Sequence, residues 1–88
     1  MSKARDSSRF FDANGLLIRW PKKYSEREPI VAALAEKFEF GAVYHEREVN
    51  ALLKQWHTFE DWAMLRRELV DRGYLQRNRD GTEYRRVK

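Results

Sequence analysis

A chain of 88 residues holds one domain, since a second core would have too little chain left to bury, so a two-domain enzyme with an interdomain cleft is excluded. The hydrophobic fraction of 42%, with five Phe, three Trp and four Tyr, is enough to order a chain that is also 36% charged. With no cysteine there is no disulfide, thiolate zinc site, iron–sulfur cluster or cysteine nucleophile, and the formal net charge of +4 makes a polyanion a reasonable partner.

Residues 1–9 are polar and without periodicity, so a mobile tail is expected ahead of a single domain over residues 10–88. The turn cluster Asp12-Ala13-Asn14-Gly15 precedes Leu16-Leu17-Ile18-Arg19-Trp20, which reads as a short edge strand stopped by Pro21. The first helix is expected to start between Ser25 and Pro29, because Ser25 and Glu28 stand at capping-box spacing while Pro29 suits a first turn. Ile30, Leu34 and Phe38, with Val31 and Ala35, form its apolar stripe, and Gly41 ends it. Val43-Tyr44 reads as a minimal strand. Residues 46–56 then put Val49, Leu52, Leu53 and Trp56 on one helical face. After a turn at His57-Thr58, with Thr58 and Asp61 at cap spacing, a third helix is expected to carry Phe59, Trp62, Leu65, Leu69 and Val70 as far as Gly73. Two short strands flanking Asn78-Arg79-Asp80-Gly81 complete a β-hairpin, since Asp-Gly supplies the positive φ such turns need.

Three helices, the last two joined by a tight turn, followed by a hairpin, imply an α+β winged helix-turn-helix: helices packed on a small antiparallel sheet, with a C-terminal wing and a short N-terminal strand. No stretch is long and apolar enough to span a membrane and no basic-then-apolar leader begins the chain, so a cytoplasmic protein without membrane contact is expected.

A family resemblance rests on several separated motifs in order. These are residues 17–21, the run ending Tyr44-His45-Glu46-Arg47-Glu48-Val49-Asn50, then Trp56-His57-Thr58-Phe59-Glu60-Asp61-Trp62, then Leu65-Arg66-Arg67-Glu68-Leu69-Val70, and residues 77–84 with Asp80-Gly81. Over residues 10–86 the chain resembles the DUF2087 family. The resemblance implies a small bacterial domain of uncharacterised function, sometimes attached to transcriptional-regulator helix-turn-helix domains, and it brings no catalytic residues. His45 departs from the Thr or Ser that the family often has before Glu46, which puts the strength of the second helix's cap in question.

Charge distribution directs attention to the ends. Residues 1–27 carry seven Lys/Arg against three Asp/Glu, residues 28–71 five against nine, and residues 72–88 six against two. A phosphate-binding surface is expected from the basic ends: Arg77, Arg79, Arg85 and Arg86 on the wing, with Lys22 and Lys23 as a second contact. On the third helix Arg66 and Arg67 either reach double-stranded DNA or pair with Glu60, Asp61, Glu68 or Asp71, whose four carboxylates oppose approach to a duplex. Asn50 is a polar residue in a helix interior, and its amide is expected to bond a loop backbone.

The leading expectation is a non-enzymatic, transcription-regulator-like DNA-binding domain. The alternative is a protein-interaction module that uses Phe10, Phe11 and Trp20 with Glu60 and Asp61 and contacts no DNA. Those aromatics also make a homodimer an open alternative. No cofactor is implied. His45 and His57 lack metal-ligand spacing, and although His57 and Asp61 stand one helical turn apart, like a base and its orienting carboxylate, no nucleophile accompanies them.

Overall fold

The computed structural model describes residues 7–88, an α+β arrangement of three helices and one three-stranded antiparallel sheet. Of the tail expected over residues 1–9, residues 1–6 lie outside the described residues. The rest enters a 3-10 turn, Ser7–Phe10, where Arg9 pairs with Glu26 and Phe10 is buried. Helix α1, Arg27–Ala35, buries the expected stripe of Ile30, Val31, Leu34 and Ala35. It follows a 3-10 turn, Tyr24–Glu26, and has no side-chain cap. Pro29 is its third residue, where a missing N–H costs no helical bond. Ser25 and Glu28 therefore form no capping box, and Glu28 turns instead to Arg72 and Tyr74.

The helix stops at Ala35 and not at Gly41. The N–H groups of Glu36, Lys37 and Phe38 donate to the carbonyls three residues back, at 3.0–3.2 Å, so the last turn tightens while Phe38 stays in the core. Gly41, at φ +82°, then admits the chain to strand β1, Val43–His45. Helix α2, Glu46–Gln55, buries Val49 and Leu53. Its start is secured from the other end of the capping box, since Glu48 Oε1 accepts the His45 N–H at 2.8 Å.

Two expected elements are corrected. Residues 16–20 form no strand: only Leu17 bridges, to Phe11 and to His57. Its N–H donates to the Trp56 carbonyl at 2.8 Å, and its own carbonyl accepts from Thr58 N–H at 3.0 Å. The segment lies against a helix–helix connection, which offers main-chain partners to one residue only, and the Leu17 side chain plugs the core there. The third helix, α3, is Trp62–Asp71 and does not start at Thr58. The buried His57 ring holds the intervening chain, with Nδ1 against the Leu53 carbonyl and Nε2 accepting the Asp61 N–H at 2.8 Å. That pattern requires the neutral Nδ1–H tautomer, and the Asp61 carboxylate is not its partner. Phe59 stacks edge-on against His57, and Glu60, at φ +56°, reverses the chain. Asp61 then caps α3 by accepting from Met64 N–H at 3.3 Å.

The sheet runs in the order β1-β3-β2, with β2 at Leu75–Arg77 and β3 at Glu83–Arg86. Val43, Tyr44 and His45 stand opposite Arg85, Tyr84 and Glu83, while Leu75, Gln76 and Arg77 stand opposite Arg86, Arg85 and Tyr84. Side chains alternate between faces along a strand. Tyr44, Tyr84, Arg77, Leu75 and Arg86 therefore share the helix-facing side, and Val43, Gln76 and Arg85 take the other.

Helix α1 is tied to α3 by charge as well as by packing. Arg72 reaches Glu68 at 2.7 Å and Glu28 at 2.8 Å, and the Tyr74 hydroxyl donates to Glu28. The Tyr74 hydrogen bond, followed by that of Arg72, holds the Glu28 carboxyl below its usual range. The same bond, with burial, raises the Tyr74 phenol. The Glu28 contribution is present above the ordinary carboxylate pKa of about 4.3 and is lost as pH falls through the lower folded-state value. The Tyr74 contribution is present below its ordinary pKa of about 10 and is lost as pH rises through the higher folded-state value. Tyr74→Phe should lower the thermal midpoint at neutral pH, and the gap from wild type should narrow as pH falls below about 4. Calorimetric midpoints at stepped pH check this, and a gap of constant size would assign the effect to ring packing alone.

Candidate nucleic-acid interface

Between α3 and the β2–β3 hairpin lies a groove of about 420 Å³, lined by Ala63, Arg66, Arg67, Val70 and Asp71 from the helix and by Arg77 and Tyr84 from the sheet. Helical periodicity places Ala63, Arg67, Val70 and Asp71 on this side of α3, and Glu68 and Arg72 on the opposite side. Tyr84 is buried to 3% and forms the floor.

The carboxylates expected to repel a duplex are mostly drawn elsewhere. Glu60 and Asp61 precede α3, Asp61 being its cap, and Glu68 pairs with Arg72 away from the groove. Asp71 is the one carboxylate among the lining residues. Of the arginines, Arg67 and Arg77 are exposed and make no ion pair among the described residues. Arg66 is half-buried. Its guanidinium donates to Asn50 Oδ1 and lies 3.5 Å from Glu46 Oε2, so it joins α3 to α2. Asn50 thus holds the neighbouring helix and no loop backbone, and the partner of Arg66 is Glu46 in place of the carboxylates of its own helix.

The hairpin turn is built on Asn78. Its Oδ1 accepts the N–H of Thr82 at 3.0 Å and of Glu83 at 3.2 Å, and its carbonyl accepts Gly81 N–H at 3.1 Å. Gly81 holds the positive φ, +73°, that the Asp-Gly pair was expected to provide. Arg79 is exposed on this turn.

The remaining basic candidates are not brought to the groove. Arg85 is exposed on the other face of the sheet, beside Val43 and Gln76. Arg86 folds back, donating to the Phe38 carbonyl at 3.1 Å and the Lys88 carbonyl at 3.0 Å. Lys22 and Lys23 precede Tyr24, whose ring lies 5.0 Å from the Arg72 guanidinium, on the far side of α3. Phe10 is buried, while Phe11 and Trp20 are half-buried against the chain's own core, so they present no open aromatic patch. Glu60 and Asp61 are exposed. No group of three metal-ligating side chains occurs among the described residues, and no helix there is long and apolar enough to cross a membrane.

Sequence reasoning missed Ala63, Val70 and Tyr84 as groove residues. The alternation of the hairpin carried a signal, because whichever face buries Tyr84 also takes its cross-strand partner Arg77.

The family model described as an uncharacterized protein conserved in bacteria, DUF2087, matches residues 16–86. The chain belongs to the DUF2087 family. No curated protein and no solved structure matches it. In this DUF2087 domain the tie from Arg66 to Asn50 and Glu46 sets the position of the groove's helical wall. Asn50→Ala should cost about 1.5–3 kcal/mol in urea unfolding, the range for a hydrogen bond to a charged group. Unchanged stability would show that Arg66 finds equivalent partners without Asn50.

Proposed function

We propose that this DUF2087 chain is a winged-helix domain of a cytoplasmic bacterial regulator that binds double-stranded DNA and catalyses no reaction, with α3 facing the duplex and the β2–β3 hairpin as its wing. The order helix, strand, helix, helix, hairpin and the β1-β3-β2 sheet support the fold reading. The observation that carries the functional reading is the convergence of Arg66, Arg67 and Arg77 on one groove with a single lining carboxylate. The acidic middle of the chain does not oppose this: Glu28, Glu46, Glu48, Asp61 and Glu68 are spent on caps and internal pairs, leaving a local positive surface. The competing protein-interaction reading loses its aromatic anchors, since Phe10, Phe11 and Trp20 pack inward.

Fluorescence anisotropy of a labelled duplex, titrated with the protein at stepped salt, tests the proposal. Arg67→Ala and Arg77→Ala should each reduce the slope of log affinity against log salt by about one, while Arg85→Ala, on the far face, should leave it unchanged. Failure to bind any duplex at about 50 mM salt, or equal sensitivity to Arg85→Ala, would overturn the reading.

A further inference from the structure

Resting on that reading, we infer that the groove takes the phosphate backbone of duplex DNA without reading its sequence, and discriminates against single strands. Base recognition in a major groove needs long side chains that present paired donors or acceptors, chiefly Arg, Asn and Gln, free to turn toward base edges. Besides Arg67, the groove side of α3 offers Ala63 and Val70, which have no polar atom to give, and Asp71, whose carboxylate repels the backbone and accepts at most from a cytosine amino group. Arg66 is one of the two α3 arginines that line the groove. Its Nη1 faces both Asn50 Oδ1 and Glu46 Oε2, and swinging the guanidinium out to a base would break both contacts. Asn50 on the neighbouring helix is itself occupied by Arg66.

What remains able to turn outward is Arg67 and Arg77, with Arg79 on the exposed turn of the same hairpin. Of these only Arg67 stands on the helix that faces the duplex, and one guanidinium with no Asn, Gln or second free arginine beside it favours at most a single base without specifying a site. Three spread over a helix and a hairpin suit phosphates, whose positions barely change with base sequence. A single strand is recognised differently, by stacking successive bases on exposed aromatic rings. The one aromatic residue lining the groove, Tyr84, is 3% exposed and offers no face to stack on.

The test uses the full chain against a panel of short duplexes of equal length, A·T-rich, G·C-rich and scrambled, together with their separated strands. Affinities across the duplexes should agree within about threefold, and two to three phosphate contacts should weaken all of them by roughly 12- to 40-fold between about 50 and 200 mM salt. Each separated strand should bind more weakly than its duplex. Arg79→Ala should lower affinity by the same factor on every duplex, whereas a base-reading arginine would affect some sequences only. Selection from a randomised duplex pool should enrich no motif. A duplex preferred by about 100-fold, or single strands bound as tightly as duplexes, would overturn the inference while leaving DNA binding itself intact. Absence of binding to every probe would overturn the functional reading beneath it.

Discussion

The ring of Tyr84 sits on the central strand of the sheet, between Tyr44 on β1 and Arg77 on β2, and its burial decides which way the rest of the hairpin faces. Strand side chains alternate, so a shift of one residue would carry Tyr84 to solvent and exchange the two faces of the hairpin. With Tyr84 inward, Arg77 meets α3 and Arg85 points to the open face. Arg86 returns to the helix-facing side, where the Phe38 carbonyl accepts from it. A single apolar requirement thus sorts a run of like-charged residues into different environments.

Helix α3 is held on two sides by arginines with opposite demands. Arg72 is gathered by Glu68 and Glu28 and pins α3 to α1, while Arg66 is gathered by Asn50 and Glu46 and pins it to α2. Both are partly shielded from water, where ion pairs are screened less than on an open surface. The consequence for the groove is a change in local charge. Glu28, Glu46, Glu48, Asp61 and Glu68 are drawn into caps and ion pairs, and the guanidinium groups of Arg67 and Arg77 are left facing outward.

Elements governed by local periodicity were legible. The stripe of Ile30, Val31, Leu34 and Ala35 and the face carrying Val49 and Leu53 were read from spacing alone and are buried. The Asp80-Gly81 turn was legible because only a residue tolerant of positive φ fits there. Leu17 and the start of α3 were not. A short apolar run looks the same whether it joins a ladder along its length or bridges at one residue, and Leu17 bridges only to Phe11 and to His57 in the turn after α2. Thr58 had the composition of a cap, but the hydrogen bonds of His57 claimed the next four residues and passed the role to Asp61.

From its residues alone this chain determined three amphipathic helices, a closing hairpin and two basic ends around an acidic middle. These follow from short-range spacing, turn chemistry and composition, which need no knowledge of distant neighbours. The tertiary structure decided which arginines share a groove and which are consumed. Arg66 depends on Asn50 across a helix–helix contact, Arg77 depends on the burial of Tyr84 across a strand pair, and Arg86 depends on a carbonyl at the end of α1's last turn. Asn50 and Phe38 lie 16 and 48 residues from their arginines, and the facing of Arg77 waits on which side of the hairpin the core buries, so the direction of each charged side chain is set only when the elements pack.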